Sequence, residues 1–254
     1  MRLAGRSAIV TGAESGIGKA IAFAFAAEGA SVAIDYPGAP ARANEVIRAI
    51  EARGGRAIAV KADVTQPRDV ERLVEKAEAA FGPLRVIVNN AGIEEKHPFL
   101  ETPLDVFLRI VEVNLAGVWI CSQAAARAIA RHGGGRIINI SSIHEDVTMP
   151  TNAAYCAAKG GVRMLARTIA VELAPYGITV NNVCPGAVET PMDASIEERP
   201  NALHELLDEI PLRRMASPEE VAELCVYLAS DAAAYVTGSS YVIDGGMMRK
   251  SGSL

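Results

Sequence analysis

Short apolar runs alternate with longer stretches of helical period from one end of the chain to the other. The runs "SAIVT" (7–11), "SVAID" (31–35), "AIAVKA" (57–62), "RVIVNN" (85–90), "RIINIS" (136–141), "TVNNVC" (179–184) and "SYVID" (240–244) are brief and rich in β-branched residues. Between them, residues 16–28, 41–53, 67–80, 103–131, 152–174 and 218–229 repeat their apolar positions at helical spacing. Strands that read as nearly continuous apolar runs are buried on both faces, as in a parallel sheet covered by helices. The alternation therefore predicts βαβ units with right-handed crossovers and an α/β fold with a doubly wound parallel sheet of about seven strands. Local punctuation agrees. Gly29 and the Gly54-Gly55 pair stop helical segments, and "SPEE" (217–220) supplies a Ser cap, a Pro at the first helical position and a Glu three after the cap. No repeat or linker divides the chain, so residues 1–254 are expected to form one domain. Within it, residues 187–215 carry Pro191, Pro200 and Pro211 around the amphipathic "ALHELLDEI" (202–210), a segment expected to act as a lid.

Composition narrows the function classes. With 254 residues, 50% hydrophobic and 22% charged, the chain can bury a sizeable core. A formal net charge of -5 offers no general basic field to nucleic acid or an anionic membrane. Cys121, Cys156, Cys184 and Cys225 are scattered with no CxxC pair, which reads as buried reduced thiols. The start "MRLAGRSAIVTG" enters a strand pattern at once, and no run approaches the ~20 apolar residues of a membrane span. A cytoplasmic setting is expected.

Candidate chemistry begins at "TGAESGIG" (11–18), between the first strand and the first helix. Gly12, Gly16 and Gly18, with Ser15 and Ile17 between them, permit a tight turn and close approach of the backbone to a ligand. The free N–H groups at that helix start suit a pyrophosphate. The spacing Gly-x-x-x-Gly-x-Gly departs from the commoner Gly-x-Gly-x-x-Gly. At the end of the second strand, "AIDYPG" (33–38) places Asp35 and then uncharged Tyr36, with no Arg or Lys before Arg42. An acid there hydrogen-bonds ribose hydroxyls and repels a 2′-phosphate; together with Glu14 it favours NAD over NADP.

In "NAAYCAAKGG" (152–161), Tyr155 and Lys159 stand one helical turn apart, among small residues that clear space around them. A free tyrosine titrates near pH ~10, and an adjacent cation favours its phenolate. Such a pair can exchange a proton with an alcohol or carbonyl as hydride moves to or from a nicotinamide.

The segments "TGAESGIG", "NNAG" (89–92), "YCAAK" and "PGAVETPM" (185–192) occur in order and at the usual distances, and with them the chain resembles the short-chain dehydrogenase/reductase family along essentially its whole length. The resemblance implies a Rossmann-type fold and a set of roles. Ser142, thirteen positions before Tyr155, would hydrogen-bond the substrate oxygen, Tyr155 would be the acid/base, and Lys159 would lower the tyrosine pKa and hold the nicotinamide ribose. Asn114 in "VEVNLAG" would position a water in a proton relay. Asp63 and Val64 would contact adenine; Asn90, Ala91 and Gly92 would pass the adenosine ribose; Pro185, Gly186, Val188 and Thr190 would hold the carboxamide side of the nicotinamide. In the usual NAD-preferring pattern the acid falls where Tyr36 stands, so NADP use is left open. Family members are commonly homotetramers joined through the two long helices and the last strand.

Substrate preference should reside in the less regular segments. "EEKH" (94–97) and "IHED" (143–146) place carboxylates and imidazoles at the expected pocket mouth, where a lipid or steroid would want apolar lining. Glu95, Glu145 and Asp146 read as solvated loop residues. Glu94 and His144 are the candidate substrate contacts, because "NNAGIE", "SSIHE" and "DGGM" (244–247) are similar to the glucose 1-dehydrogenase branch of the family. The implied reaction is oxidation of a pyranose C1 hydroxyl to the lactone. The competing readings are a 3-oxoacyl-thioester reductase or another secondary-alcohol dehydrogenase and, from a different class, a non-catalytic NAD-sensing binding protein. No metal is expected, since His97 and His144 have no second ligand at helical spacing.

Overall fold

A computed structural model describes residues 1–191 and 200–249. Seven parallel strands, β1 (Ser7–Val10), β2 (Ser31–Tyr36), β3 (Arg56–Lys61), β4 (Leu84–Asn89), β5 (Gly135–Ile140), β6 (Ile178–Pro185) and β7 (Ser240–Ile243), form one sheet in the order β3-β2-β1-β4-β5-β6-β7. The apolar strand runs bury both faces, as their sequence predicts. Ala8, Val10, Val32, Ile34, Val86, Val88, Ile138 and Ile140 join the core on one face. Their alternating neighbours Ile9, Ala33, Ile87, Ile137 and Val180 join the core on the other.

Helices α1 (Gly16–Ala27), α2 (Ala41–Glu51) and α8 (Pro218–Ala229) cover the first face. On the opposite face lie α3 (Pro67–Phe81), α5 (Gly117–Ala130) and α6 (Ala153–Leu173). Two further helices, α4 (Leu104–Val111) and α7 (Pro200–Glu209), belong to the connections after β4 and β6. The expected lid segment 187–215 lies partly outside the described residues, which omit 192–199. Among the described residues no helix is long and apolar enough to cross a membrane. Cys121, Cys184 and Cys225 are buried free thiols, whereas Cys156 is only half-buried.

The sequence pattern predicts one helix over 103–131; the structure divides it. A π turn at Glu112–Ala116 separates α4 from α5, with the fully buried Asn114 at its centre. Both ends of the Asn114 amide are used outside the helix: Oδ1 accepts from Ile93 N (2.8 Å) and Nδ2 donates to Ile93 O (2.7 Å). A π turn widens the helix and frees carbonyls from the ordinary ladder. Here it also lets a helical side chain fasten the chain beyond β4.

α8 starts as its sequence requires. Ser217 Oγ accepts from Glu220 N (3.3 Å), Glu220 Oε2 accepts from Ser217 N (2.9 Å), and Pro218 occupies the first turn. Arg214 adds a two-pronged contact to the Glu220 carboxylate at 2.7 Å. Ser217→Ala is expected to cost about 1 kcal/mol of stability, read from urea denaturation midpoints, and to leave cofactor binding unchanged.

Candidate active site

The order of strands reverses between β1 and β4, so the connections leaving their C-terminal ends diverge and open a crevice. It is a cleft of about 1530 Å³ lined by the segments that follow β1, β2, β3, β4, β5 and β6. That volume exceeds the ~1,000 Å³ upper range of ordinary ligand pockets and suits a dinucleotide together with a substrate.

At one end the glycine loop is fastened to β4. Thr11 Oγ1 accepts from Asn90 N (2.9 Å) and Ala91 N (3.0 Å), and Asn90 Nδ2 donates to Thr11 O (2.9 Å) and Gly12 O (3.1 Å). Gly12 takes φ +62°, and a Cβ on it would lie 2.9 Å from Ala91 Cα. Gly18 packs against the same asparagine, where a Cβ would meet Asn90 Nδ2 at 2.4 Å. The loop closes only without side chains at these two positions, and Ser15 caps α1 without spending its side chain. The result is a bare backbone cradle at a helix N-terminus, which fits a pyrophosphate.

Asp35 is 1% exposed, and its Oδ1 accepts from Gly12 N (2.5 Å) beneath the loop. Burial pushes its carboxyl up to about 7 despite that bond. The residue lines the cleft, yet one oxygen is committed to shaping the loop. Tyr36, Gly18 and Asn114 stand outside the cleft wall; the other expected cofactor and catalytic positions, from Gly12, Ser15, Gly16 and Ile17 through Asp63, Val64 and Asn90–Gly92 to Pro185, Gly186, Val188 and Thr190, all line it.

Tyr155 and Lys159 share one face of α6 and meet Ser142 from the end of β5 in the same cleft. Lys159 Nζ lies 5.4 Å from the Tyr155 ring centroid and donates to Ile140 O (2.8 Å). Burial lowers the Lys159 ammonium to about 8, so it remains mostly charged at neutral pH. Ser142 Oγ accepts from His144 N (3.2 Å), so the turn that follows β5 orients it. The His144 ring stands edge-on to Tyr155 with centroids 6.4 Å apart. Its Nδ1 faces Val147 O at 3.2 Å, and burial holds its pKa below the ordinary histidine value. A neutral imidazole whose Nδ1–H points at a carbonyl presents Nε2 as an acceptor.

The mouth is built by a clasp. Glu94 Oε1 accepts from Asn152 Nδ2 (3.2 Å) and lies 3.5 Å from Lys96 Nζ. His97 N donates to Thr151 O (2.8 Å), and Thr151 holds an unusual φ of +69°. Asn152, 2% exposed, escaped the sequence reading because nothing local distinguishes it from an ordinary helix-start residue. The expectation of a solvated Glu145 is corrected here. Glu145 is 8% exposed and accepts from Asn182 Nδ2 (3.0 Å) and Ser240 Oγ (2.5 Å). It lies on the inner side of a short helical turn, whereas Asp146 faces out and pairs with Arg163. Glu95 is exposed and pairs with His97 (2.7 Å). Among the described residues no group of three or more His, Cys, Asp or Glu could hold a metal ion.

Comparison with known proteins settles the family. The family model described as enoyl-(acyl carrier protein) reductase matches residues 12–248. A 3β-hydroxysteroid dehydrogenase 1 from Eggerthella lenta is 42% identical over 96% of this chain and 94% of its own length. The chain belongs to the short-chain dehydrogenase/reductase family. Glucose 1-dehydrogenase 2 from Bacillus subtilis is 38% identical over 96% of this chain and 95% of its own. Among solved structures, a 7α-hydroxysteroid dehydrogenase complexed with NADH and 7-oxo glycochenodeoxycholic acid superposes with a TM-score of 0.92 at 34% identity, covering 96% of this chain and 95% of that one. The protein is an NAD(P)-dependent oxidoreductase acting on CH–OH groups.

The buried Asp35 carboxyl carries a pH signature. The unfolded chain ionises near its ordinary value of 3.8, whereas the folded protein resists until about 7. This group therefore supports the fold fully below pH 4 and loses that contribution as pH rises to 7, on the order of a few kcal/mol. Asp35→Asn, which still accepts from Gly12 N, is expected to flatten that fall in thermal denaturation followed from pH 4 to 8.

Proposed function

We propose that the protein oxidises the C1 hydroxyl of a glucose-like aldose to the lactone. The observation that carries this reading is the polar lining beside Tyr155: neutral His144 with its free acceptor on one side, and Glu94 held in the mouth by Asn152. Such groups match sugar hydroxyls and would be left unpaired by an apolar alcohol, a mismatch that discriminates strongly. The name of the Bacillus subtilis relative supports the same substrate class.

The Ser142 hydroxyl holds the substrate oxygen, and Tyr155 takes its proton. Lys159, fixed by Ile140 O, favours the phenolate and binds the nicotinamide ribose. The bound nicotinamide supplies the hydride acceptor. Asn114 contributes through position, since its side chain is committed at both ends to Ile93.

NAD is the expected coenzyme, with Glu14 and the part-ionised Asp35 lining the cleft beside the glycine loop, and NADP is the alternative. A second reading rests on Met149, Leu206, Met247 and Met248, which line the same cleft and would suit an apolar secondary alcohol or an acyl thioester. The polar clasp favours the sugar. The homotetramer expected of the family is supported by large apolar side chains left exposed on α4, α5 and α6, Leu104 (71%), Leu108 (53%), Trp119 (48%), Met164 (58%) and Val171 (76%), and by β7 as an open sheet edge. The segment 187–215 is proposed as a lid over one domain, because Leu206 and Glu209 of α7 line the cleft.

Absorbance of reduced nicotinamide, followed with a panel of aldoses, polyols, steroids and simple alcohols and with both coenzymes, tests the reading. Turnover is expected on aldoses; activity confined to apolar alcohols would replace it with the second reading. In the same assay Tyr155→Phe is expected to lose about 10²–10⁴-fold in kcat while still binding NADH. Limited proteolysis within 187–215 should slow when NAD is present, and equal cleavage rates would remove the lid.

A further inference from the structure

Beneath the active site one polar rung crosses four strands. Asn89, Asn139, Asn182 and Ser240 are register partners on β4, β5, β6 and β7. Their side chains are joined in one direction. Asn89 Nδ2 donates to Asn139 Oδ1 (2.8 Å), Asn139 Nδ2 to Asn182 Oδ1 (2.9 Å), and Asn182 Nδ2 to Glu145 Oε2 (3.0 Å). Ser240 Oγ donates to the other oxygen of the same carboxylate at 2.5 Å. At the far end Asn89 Nδ2 also donates to Ser122 Oγ (2.8 Å) on α5. The three asparagines are no more than 3% exposed.

A carboxylate only accepts hydrogen bonds, so Glu145 fixes the orientation of Asn182, which fixes Asn139, which fixes Asn89. All three amides point their donors at the acid. This head-to-tail arrangement holds a buried carboxylate at the edge of the catalytic turn. The Glu145 backbone is held as well: its N–H donates to Ser142 O (3.1 Å), and its carbonyl oxygen lies 3.9 Å from the Cβ position of Gly160, beside Lys159.

We propose that Glu145 is a positioning residue for the active site: anchored by the amide rung, it locks the turn that carries Ser142 and His144 and sets the electrostatic field at Lys159. This rests on the catalytic reading of Ser142, Tyr155 and Lys159 given above. Two groups act to keep Lys159 charged against its burial, Cys184 and then Glu145, and of these Glu145 is the carboxylate. Tyr155 and Arg163 share the Lys159 helix, the latter paired with Asp146. The β5 turn adds His144, held neutral by burial, and α4 with its π turn presents Arg109 and Glu112 at the cleft wall. From β6 comes Cys184, which burial keeps a neutral thiol. With Cys184 neutral, Glu145 is the carboxylate that supports the Lys159 charge against desolvation.

The test is NADH binding, followed by nicotinamide fluorescence from pH 6 to 10, which needs no substrate. Wild-type affinity is expected to weaken as Lys159 loses its proton, and Lys159→Ala to abolish that transition. Glu145→Gln removes the negative charge, so the transition is expected to move to lower pH by about one unit. Asn182→Ala keeps the charge but removes its anchor; it should move the transition in the same sense by a smaller amount, and it carries the test should Glu145→Gln fail to fold. An unmoved transition in the folded variants, or a wild-type transition that survives Lys159→Ala, overturns the proposal. Tyr155→Phe separates the two levels: retained turnover there sinks the catalytic reading itself, whereas an inactive Tyr155→Phe with an unmoved Glu145→Gln transition sinks only the role of Glu145.

Discussion

The divergence of the connections that leave β1 and β4 at their C-terminal ends is the constraint on which the rest depends. The ladder between the two strands ends with Thr11 N donating to Val88 O (3.0 Å), and the backbone groups that follow need other partners. Thr11 and Asn90 provide them, with one hydroxyl receiving two amide N–H groups and one side-chain amide reaching two carbonyls. Asp35 closes the glycine loop from below. Farther along, Asn114 reaches out of a π turn to hold Ile93. Every one of these contacts is side chain to backbone. The crevice is kept open by side chains doing what a sheet ladder does elsewhere, and the coenzyme cradle is its consequence.

Three ionisable groups are buried around this crevice, and each is handled differently. Asp35 is raised by burial and offset in part by a backbone N–H. Lys159 is lowered by burial and held by a carbonyl. Glu145 is met by an amide and a hydroxyl donor. Burying charge is costly unless hydrogen bonds compensate, and each of these groups is given such partners.

Most of the fold was legible because the strand runs are apolar at successive positions and each helix has a clean period; strand boundaries fall within a residue of the pattern at both ends. Within the helical stretch expected over 103–131 the π turn was not legible, because it inserts a residue without disturbing the apolar spacing on either side of Asn114. The site was legible where chemistry sits in one short segment, as with Tyr155 and Lys159. Glu145 was misread because "IHED" looks like a solvated loop, and only a turn of three residues decides which acid faces inward. Asn139 and Asn182 sit in strand patterns where polar residues seem like interruptions. Their partners are some forty residues away in sequence and adjacent only by register.

The one-way polarity of the amide rung also bears on how this protein can drift in sequence. Replacing Asn139 alone by Asp would set two acceptors against each other at Asn182, and replacing Asn182 alone by Leu would strand a donor on one side and a carboxylate on the other. Neighbouring positions on β4, β5, β6 and β7 must therefore change together or not at all. Substitutions at these four sites are coupled as a block, although the residues touch no substrate and lie on different strands.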